Sequence, residues 1–357
     1  MMDERLKQFF RRAAWGVALA LLFVWLAQRR PEHDQVVIEE FLGLGTLINV
    51  SVYLESGQTQ DQFDAAMHDI RPMIAAYQQR WSVITDGGLS AVNQALAKGE
   101  AARIDAELRP LFARAAALST ASRGLFDVRV GGLVDLWGWN RQEAFGTRPP
   151  ADVAIAATLA AIAAAPALDA AHYGPAPGVQ LNFGGIAKGD AAGKIGASLR
   201  AAGFEHYLVN MGGDVVARGR KGDRPWRIGV RHPRPPRAEQ PLMGIVTTQG
   251  DETIFTSGDY ERYFEFEGQR YHHLIDPRSG RPARGLTSAT VITSDPVLAD
   301  AASTALFVAG PDGWRDTARA MGIDQAMVMG ADGRVQATQA FADRFQASTG
   351  VAVTVLP

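Results

Sequence analysis

Tyr260 to Ala283 reads YERYFEFEGQRYHHLIDPRSGRPA, and Ser288 to Gly310 reads SATVITSDPVLADAASTALFVAG. In the first stretch aromatic and polar residues alternate before Asp276-Pro277 and Ser279-Gly280. That pattern predicts a strand, a turn around Gly268, a second strand and a loop. Ala289 to Ile292 predicts the next strand. After Asp295-Pro296 a helical period places Leu298, Ala302, Ala305 and Leu306 on one face. His273 and Asp300 therefore sit beside turns that rigid elements hold, where chemistry often resides.

Downstream, the pattern predicts a helix near Trp314 to Met321, a strand Gln325 to Met329, a turn at Ala331-Asp-Gly333 and a closing strand. Upstream, Val179 to Gly219 reads as strand, glycine turn, helix, strand and second glycine turn. Strands are expected at Trp226–Val230 and Gly244–Thr248, around a proline- and arginine-rich loop from Arg231 to Pro241. Nearer the N-terminus, Leu47 to Leu54 reads as a strand after Leu42-Gly-Leu-Gly-Thr46. Thr59 to Trp81 is an amphipathic helix with Phe63, Met67, Ile70, Ile74 and Tyr77 on its stripe. ITDGGLSAVNQ (Ile84 to Gln94) reads as a loop, and Asp105 to Ser122 as a helix capped by Asp105. FDVRVGGLVDLWGWN (Phe126 to Asn140) starts strand-like, and Ala151 to Ala165 is helical. Helices and strands mix without regular alternation, so the expected class is α+β rather than a doubly wound sheet.

The 357 residues carry a formal charge of −2 and no cysteine. Near-balanced charge gives a nucleic-acid partner no electrostatic support. The lack of cysteine excludes disulfides, thiolate metal sites, a Cys nucleophile and a lipid-modified Cys. Ala13 to Ala27 (AAWGVALALLFVWLA) is apolar and flanked by arginine pairs. It is short for a spanning helix, yet Trp25 stands where signal cleavage needs a small residue. Basic residues are denser on the N-terminal side, which orients that end inward. The expectation is an uncleaved transmembrane or signal-anchor helix in residues 1–30, preceding a single catalytic domain over residues 36–357. That domain would lie outside the cytoplasm, in the periplasm on an inner-membrane anchor.

Several clusters carry chemistry. Phe183-Gly-Gly-Ile-Ala-Lys-Gly189 joins a strand to a helix, where backbone amides and Lys188 can meet an anion; an ordinary glycine turn is the alternative. Asn210-Met-Gly-Gly-Asp214 ends a second glycine turn in a carboxylate between apolar residues. Asp300 and Thr304 lie four apart, so both oxygens face one way. With a turn carbonyl they can offer the hard oxygens Mg²⁺ prefers, although capping also explains them. His272-His273 is read either as packing or, beside Asp276, as a catalytic pair.

Taken together, these pieces resemble the ApbE family of FAD:protein FMN transferases from about Gly43 to Thr338. The resemblance rests on LGT (Leu44 to Thr46), LSAVN (Leu89 to Asn93), FDVRVGGLVDLWGW, FGGIAKG, NMGGDV, TSGDYERYF, HHLIDPRSGRPA and ADAASTALFV. It implies a single α+β catalytic domain that splits FAD and passes FMN to a Ser or Thr hydroxyl of a respiratory or electron-transfer protein, releasing AMP. It further implies that the Ala187 carbonyl, Asp300 and Thr304 hold Mg²⁺, and that His273 is catalytic. Leu44, Ser90, Asp127, Gly184, Gly185, Lys188, Gly212, Gly213, Asp214 and Ile275 fall in segments that match the FAD site. Leu44 replaces a common Met, Gly132 a Pro, Ser279 a Thr and Asn182 an Asp. Phosphoryl transfer asks a protein for positioning, charge stabilisation and a base, and an imidazole of pKa near 6.5 suits the last. Tyr260, Tyr263, Trp137 and Trp139 are candidates to cover the flavin ring. An FAD pyrophosphatase yielding FMN and AMP would need no different residues, and a non-catalytic flavin-binding assembly factor is the third reading.

Overall fold

A computed structural model describes residues 35–140 and 146–356, so the N-terminal anchor expectation lies outside the described residues. The chain opens on the hairpin β1 (Val36–Gly43) and β2 (Thr46–Tyr53), followed by α1 (Gln60–Trp81) and α2 (Gly88–Ala97). A small pair, β3 (Ala102–Arg103) and β4 (His172–Tyr173), brackets α3 (Arg109–Ala121), α4 (Gly131–Leu136) and α5 (Asp152–Ala164). Next come α6 (Ala187–Ala201), β5 (Tyr207–Met211), β6 (Asp214–Arg218), β7 (Arg227–Arg231), β8 (Leu242–Thr247) and β9 (Glu252–Gly258). Two hairpins, β10 (Tyr263–Phe266) with β11 (Gln269–His272) and β12 (Ile275–Asp276) with β13 (Arg281–Pro282), lead to β14 (Leu286–Thr293). The long helix α7 (Pro296–Ala320) precedes β15 (Gln325–Gly330), β16 (Val335–Thr338), α8 (Gln339–Ala342), β17 (Phe345–Ala347) and β18 (Val353–Leu356).

Nine strands form one sheet in the order β1-β2-β5-β6-β9-β14-β15-β16-β18, antiparallel except where β18 joins β16. One face carries α1, α6 and α7; a three-stranded sheet, β17-β8-β7, covers part of the other. β7 shows how that second layer works. Its alternate residues Ile228 and Val230 turn inward while Arg227, Gly229 and Arg231 face out, the period-two pattern of a half-buried strand. β14 lies under both layers, so seven of its eight residues are buried. The architecture is the mixed α+β class expected from sequence. Among the described residues no helix is long and apolar enough to cross a membrane.

Several boundaries differ from expectation. ITDGGLSAVNQ does not stay a loop: Leu89, Val92 and Leu96 form a buried stripe, so the chain is helical from Gly88. Asp105 is not a cap. Its carbonyl receives Leu108 and Arg109 in a preceding turn, and the helix begins at Arg109 with Pro110 in its first turn. FDVRV is not a strand. Asp127 accepts the Arg129 amide at 2.9 Å, and this local bond bends the chain into turns, leaving one bridge from Val130 to Gln180. The segment before the first glycine turn, expected as a strand, likewise contributes only that bridge. The two helices expected near Leu298 and Trp314 are both present and run end to end within α7, parted at Gly310, whose φ 76° and ψ −177° are not helical, just before Pro311.

α7 is fixed at its start by Asp295, whose Oδ1 accepts from the amides of Val297 and Leu298 at 3.0 and 3.1 Å. The first part of its buried face, Ala299 to Ala305, is mostly alanine, which lets α6 cross closely. The tightest point is Gly189: a Cβ there would lie 2.1 Å from the Pro296 carbonyl oxygen. Alanine in a helix normally gains about 1 kcal/mol over glycine, but this clash is with backbone and cannot be relieved by a rotamer. Gly189→Ala is expected to lower stability in urea by about 1–3 kcal/mol. Gly193→Ala, whose Cβ would meet only the Pro296 ring at 3.1 Å, should be close to neutral.

Candidate active site

The α6–α7 crossing brings the first glycine turn onto Asp300. The Gly189 amide donates to Asp300 Oδ2 at 2.8 Å, and Asp300 is buried. Burial pushes its carboxyl above the ordinary range, against the pull of the Lys188 charge and of the Gly189 and Lys188 amides. One turn on, Thr304 Oγ1 lies 3.2 Å from Ser257 Oγ, which is also 2.9 Å from Ser303 Oγ. A Cβ on Gly185 would reach within 3.9 Å of Thr304 Oγ1, so the Gly184-Gly185 turn faces the same spot. Ala187 is the first residue of α6.

These residues fit a hard divalent cation. Asp300 brings a buried carboxylate and Thr304 with its serine neighbours brings hydroxyls, the hard-oxygen donor chemistry of Mg²⁺. Asp300 takes its direct bonds from backbone, because the Lys188 ammonium is bonded to Asp214. A buried anion without a cationic partner is costly, and a cation offsets that cost.

Asp214 ties the second glycine turn to the first. It is buried, pairs with Lys188 through Oδ2, and accepts the Thr256 amide on Oδ1 at 3.0 Å. Gly212 and Gly213 have φ of 68° and 108°, and Asn210 Oδ1 accepts the Gly213 amide at 2.7 Å. A side chain at Gly212 would strike Thr46 Oγ1 at 2.2 Å. The β1–β2 turn, with Leu44 itself at φ 53°, thus packs directly against this turn. The Leu44 amide is held by Gln78 Oε1 at 2.7 Å.

Phe126 and Asp127 come in from the other side: a Cβ on Gly185 would lie 3.1 Å from the Phe126 ring. Asp127 is buried against Arg129 in a two-pronged ion pair with a shortest distance of 2.7 Å. Ser90 Oγ donates to the Gly87 carbonyl at 2.9 Å, so both groups are engaged locally. Asn93, not singled out from sequence, clamps Leu181 through both its main-chain groups at 2.8 and 3.0 Å and so fixes the run into the glycine turn. Ser257 was also missed. Its signal was present in TSGDYERYF, where strand alternation sets it opposite Thr256.

The histidines divide the work. His272 is buried, with Nε2 2.8 Å from the Ala283 carbonyl and Nδ1 accepting the Leu274 amide at 3.2 Å. Those partners fix a neutral tautomer, and burial lowers its pKa. His273 anchors its amide on the Arg262 carbonyl at 3.1 Å, while its Nδ1 is buried without a partner. Burial first, then the Arg262 charge, hold its pKa well below the imidazole norm, against the upward pull of the Arg262 backbone. His273 is therefore neutral at neutral pH. Ile275 lies buried two residues on, in β12.

The four aromatic candidates are accounted for by packing. Trp137 stacks on Tyr271 at 5.5 Å and Trp139 on Phe264 at 5.5 Å, both buried, tying the β10–β11 hairpin to the body. Arg231 covers the Tyr260 face at 4.9 Å and Arg270 that of Tyr263 at 3.8 Å.

The sequence profile of the ApbE family matches residues 44–328. The chain belongs to the ApbE family. It is similar to a FAD:protein FMN transferase of Rhodobacter capsulatus, 36% identical over 95% of this chain and 65% of the relative, so the chain spans about two thirds of that relative's length. A FAD:protein FMN transferase of Vibrio cholerae is 29% identical over 89% of this chain and 94% of the relative. Among solved structures, the ApbE protein of Thermotoga maritima matches with TM-score 0.76 and 29% identity, over 87% of this chain and all of that one. The Vibrio cholerae flavin transferase ApbE matches with TM-score 0.74 and 26% identity, over 87% of this chain and 99% of that one.

His272→Ala would leave the Ala283 carbonyl and Leu274 amide unpaired and open a void. The expected loss is about 2–4 kcal/mol in urea unfolding, without the selective loss of turnover expected at His273.

Proposed function

We propose that this chain transfers the FMN half of FAD to a Ser or Thr hydroxyl of an acceptor protein in a respiratory or electron-transfer complex. The hydroxyl oxygen bonds to the phosphorus of the FMN half, the diphosphate bridge breaks, and AMP leaves with the bridging oxygen. The observation that carries this reading is the convergence of a neutral buried imidazole, an ammonium and a buried carboxylate around two glycine turns. The relatives' printed activity supports it. Leu44, Ser90, Asp127, Gly184, Gly185, Lys188, Gly212, Gly213, Asp214 and Ile275 would line the FAD site. Backbone amides of the turns and Lys188 would hold the diphosphate, which competes with Asp214 for the ammonium. The Ala187 carbonyl, Asp300 and Thr304 would hold Mg²⁺, which neutralises phosphate charge when bound. His273 takes the hydroxyl proton as the new bond forms.

The deciding experiment incubates the full chain with FAD, Mg²⁺ and candidate acceptor domains and measures acceptor mass. Covalent FMN on the acceptor supports transfer; free FMN and AMP with an unmodified acceptor would make the protein a pyrophosphatase, and no turnover would make it a binding factor. His273→Ala is expected to slow transfer about 10²–10⁴-fold with FAD affinity unchanged. Because the imidazole must be neutral to accept a proton, and burial depresses its pKa, the rate should hold as pH falls to about 6.5 and decline only below it. A decline centred at or above that value would remove His273 as the base.

We further propose that Ala13 to Ala27 anchors the protein in the inner membrane with the catalytic domain in the periplasm. Mature protein whose N-terminal sequence starts after Ala27 would overturn this.

A further inference from the structure

Arg262 stands directly opposite His273. The β10–β11 register pairs Tyr263 with His272 and Phe264 with Tyr271. The His273 amide then donates to the Arg262 carbonyl at 3.1 Å, so the ribbon runs one pair further. Opposite residues on an antiparallel ribbon project to one face, with Cβ atoms about 4.5–5.5 Å apart. Phe264 and Tyr271 share that face, and they stack on Trp139 and Trp137 at 5.5 Å. The face therefore turns toward the body, and Arg262 and His273 occupy its end away from the Gly268 turn.

Arg231 pairs with Glu261 at 3.6 Å, Arg234 with Asp259 at 2.6 Å and Arg270 with Glu265 at 3.3 Å. Arg262, among these matched cations, has no such partner: among the described residues its guanidinium makes no ion pair or hydrogen bond. It is exposed, yet the protein around it removes enough water to push its pKa below the ordinary range, with only the Glu261 charge acting the other way.

That placement is awkward for a base. An imidazole that takes a proton becomes a cation, and a bare guanidinium beside it opposes the change. The pair becomes workable once an anion covers Arg262. The anion comes from the acceptor's side. In an in-line displacement the hydroxyl enters opposite the leaving group, so a residue beside the base stands where the acceptor approaches. Arg262 is also at the surface, where a protein arrives, whereas Lys188 and the glycine turns lie on α6 and β5–β6.

We propose that Arg262 recognises the acceptor protein: its guanidinium takes the carboxylate of an acidic residue beside the acceptor's Ser or Thr and so brings that hydroxyl to His273. This rests on the FMN-transfer reading. The base then works best with the acceptor docked, which favours a protein hydroxyl over water as nucleophile.

The test uses the full chain, FAD, Mg²⁺ and an acceptor domain that the parent flavinylates. Acceptor KM is read from covalent flavin fluorescence, and FAD affinity from quenching of tryptophan emission. Arg262→Ala is expected to raise the acceptor KM about 10–100-fold, the loss of one charge-assisted bond, with FAD affinity and melting temperature unchanged. Arg262→Lys should recover part of that loss. Acidic residues of the acceptor near the modified hydroxyl are then changed to amides one at a time. One such change should raise KM for the parent and have no further effect on Arg262→Ala. If every change adds fully to Arg262→Ala, the arginine meets no carboxylate and the proposal fails. An unchanged acceptor KM in Arg262→Ala overturns it too, as does a loss of FAD affinity in its place, which would assign the guanidinium to a phosphate; both leave transfer standing. If no acceptor domain receives FMN from the parent, the transfer reading falls and this proposal with it.

Discussion

The close crossing of α6 over α7 at Gly189 is the constraint on which the rest depends. A missing side chain lets one helix's amide reach the other helix's buried carboxylate. That one contact sets where the Lys188 side chain starts, and therefore which charges it can reach. Lys188 then links three groups that belong to distant parts of the sequence: Asp214 by direct pairing, and Asp300 and His273 through its field. Packing comes first here, and electrostatics follows from it. Alanine-rich α7 makes the crossing possible, and the Asp295 cap fixes the end at which it happens.

A second layer of support is aromatic. Trp81 and Phe112 flank Phe183 at 4.8 and 4.7 Å under the first glycine turn. On the far side, Trp137, Trp139, Phe264 and Tyr271 dock the hairpin that ends in the histidine pair. Such pairs contribute about 0.5–1.5 kcal/mol each beyond area burial. Their larger effect is on direction: both ends of the site are set by rings that cannot slide independently. The Trp137 indole also donates to the Gly280 carbonyl at 2.9 Å, pinning the loop after Asp276 to the same cluster.

Much of this was legible in the sequence, because glycine turns and amphipathic stripes are local signals. The helix stripe of Phe63 to Tyr77 and the hairpin around Gly268 lie where periodicity put them. What sequence misread was equally local in cause. In FDVR and again in DPR an aspartate accepts the amide two residues on, and an arginine closes over it. That side-chain closure competes with strand pairing and wins, although apolar alternation in FDVRV reads as extended. The roles of Ser257 and Asn93 were missed for a different reason, even though alternation places Ser257 on a definite face of its strand. Their meaning lies in partners 46 and 88 residues away, which no spacing rule encodes.

The Lys188–Asp214 pair has a consequence for turnover. An active site that binds a polyanion with a half-buried lysine faces a cost each time the anion departs, because the lysine is left uncompensated. Here the resting protein carries its own stand-in for the departing charge, one side chain's reach away. On the proposed reading, empty and occupied states would therefore stay close to electrical balance, and product could leave without stranding a bare ammonium. Binding of the diphosphate would be weakened by the need to displace Asp214, and release would be quickened by its return. On that reading the second glycine turn would be part of the exit as much as of the entrance.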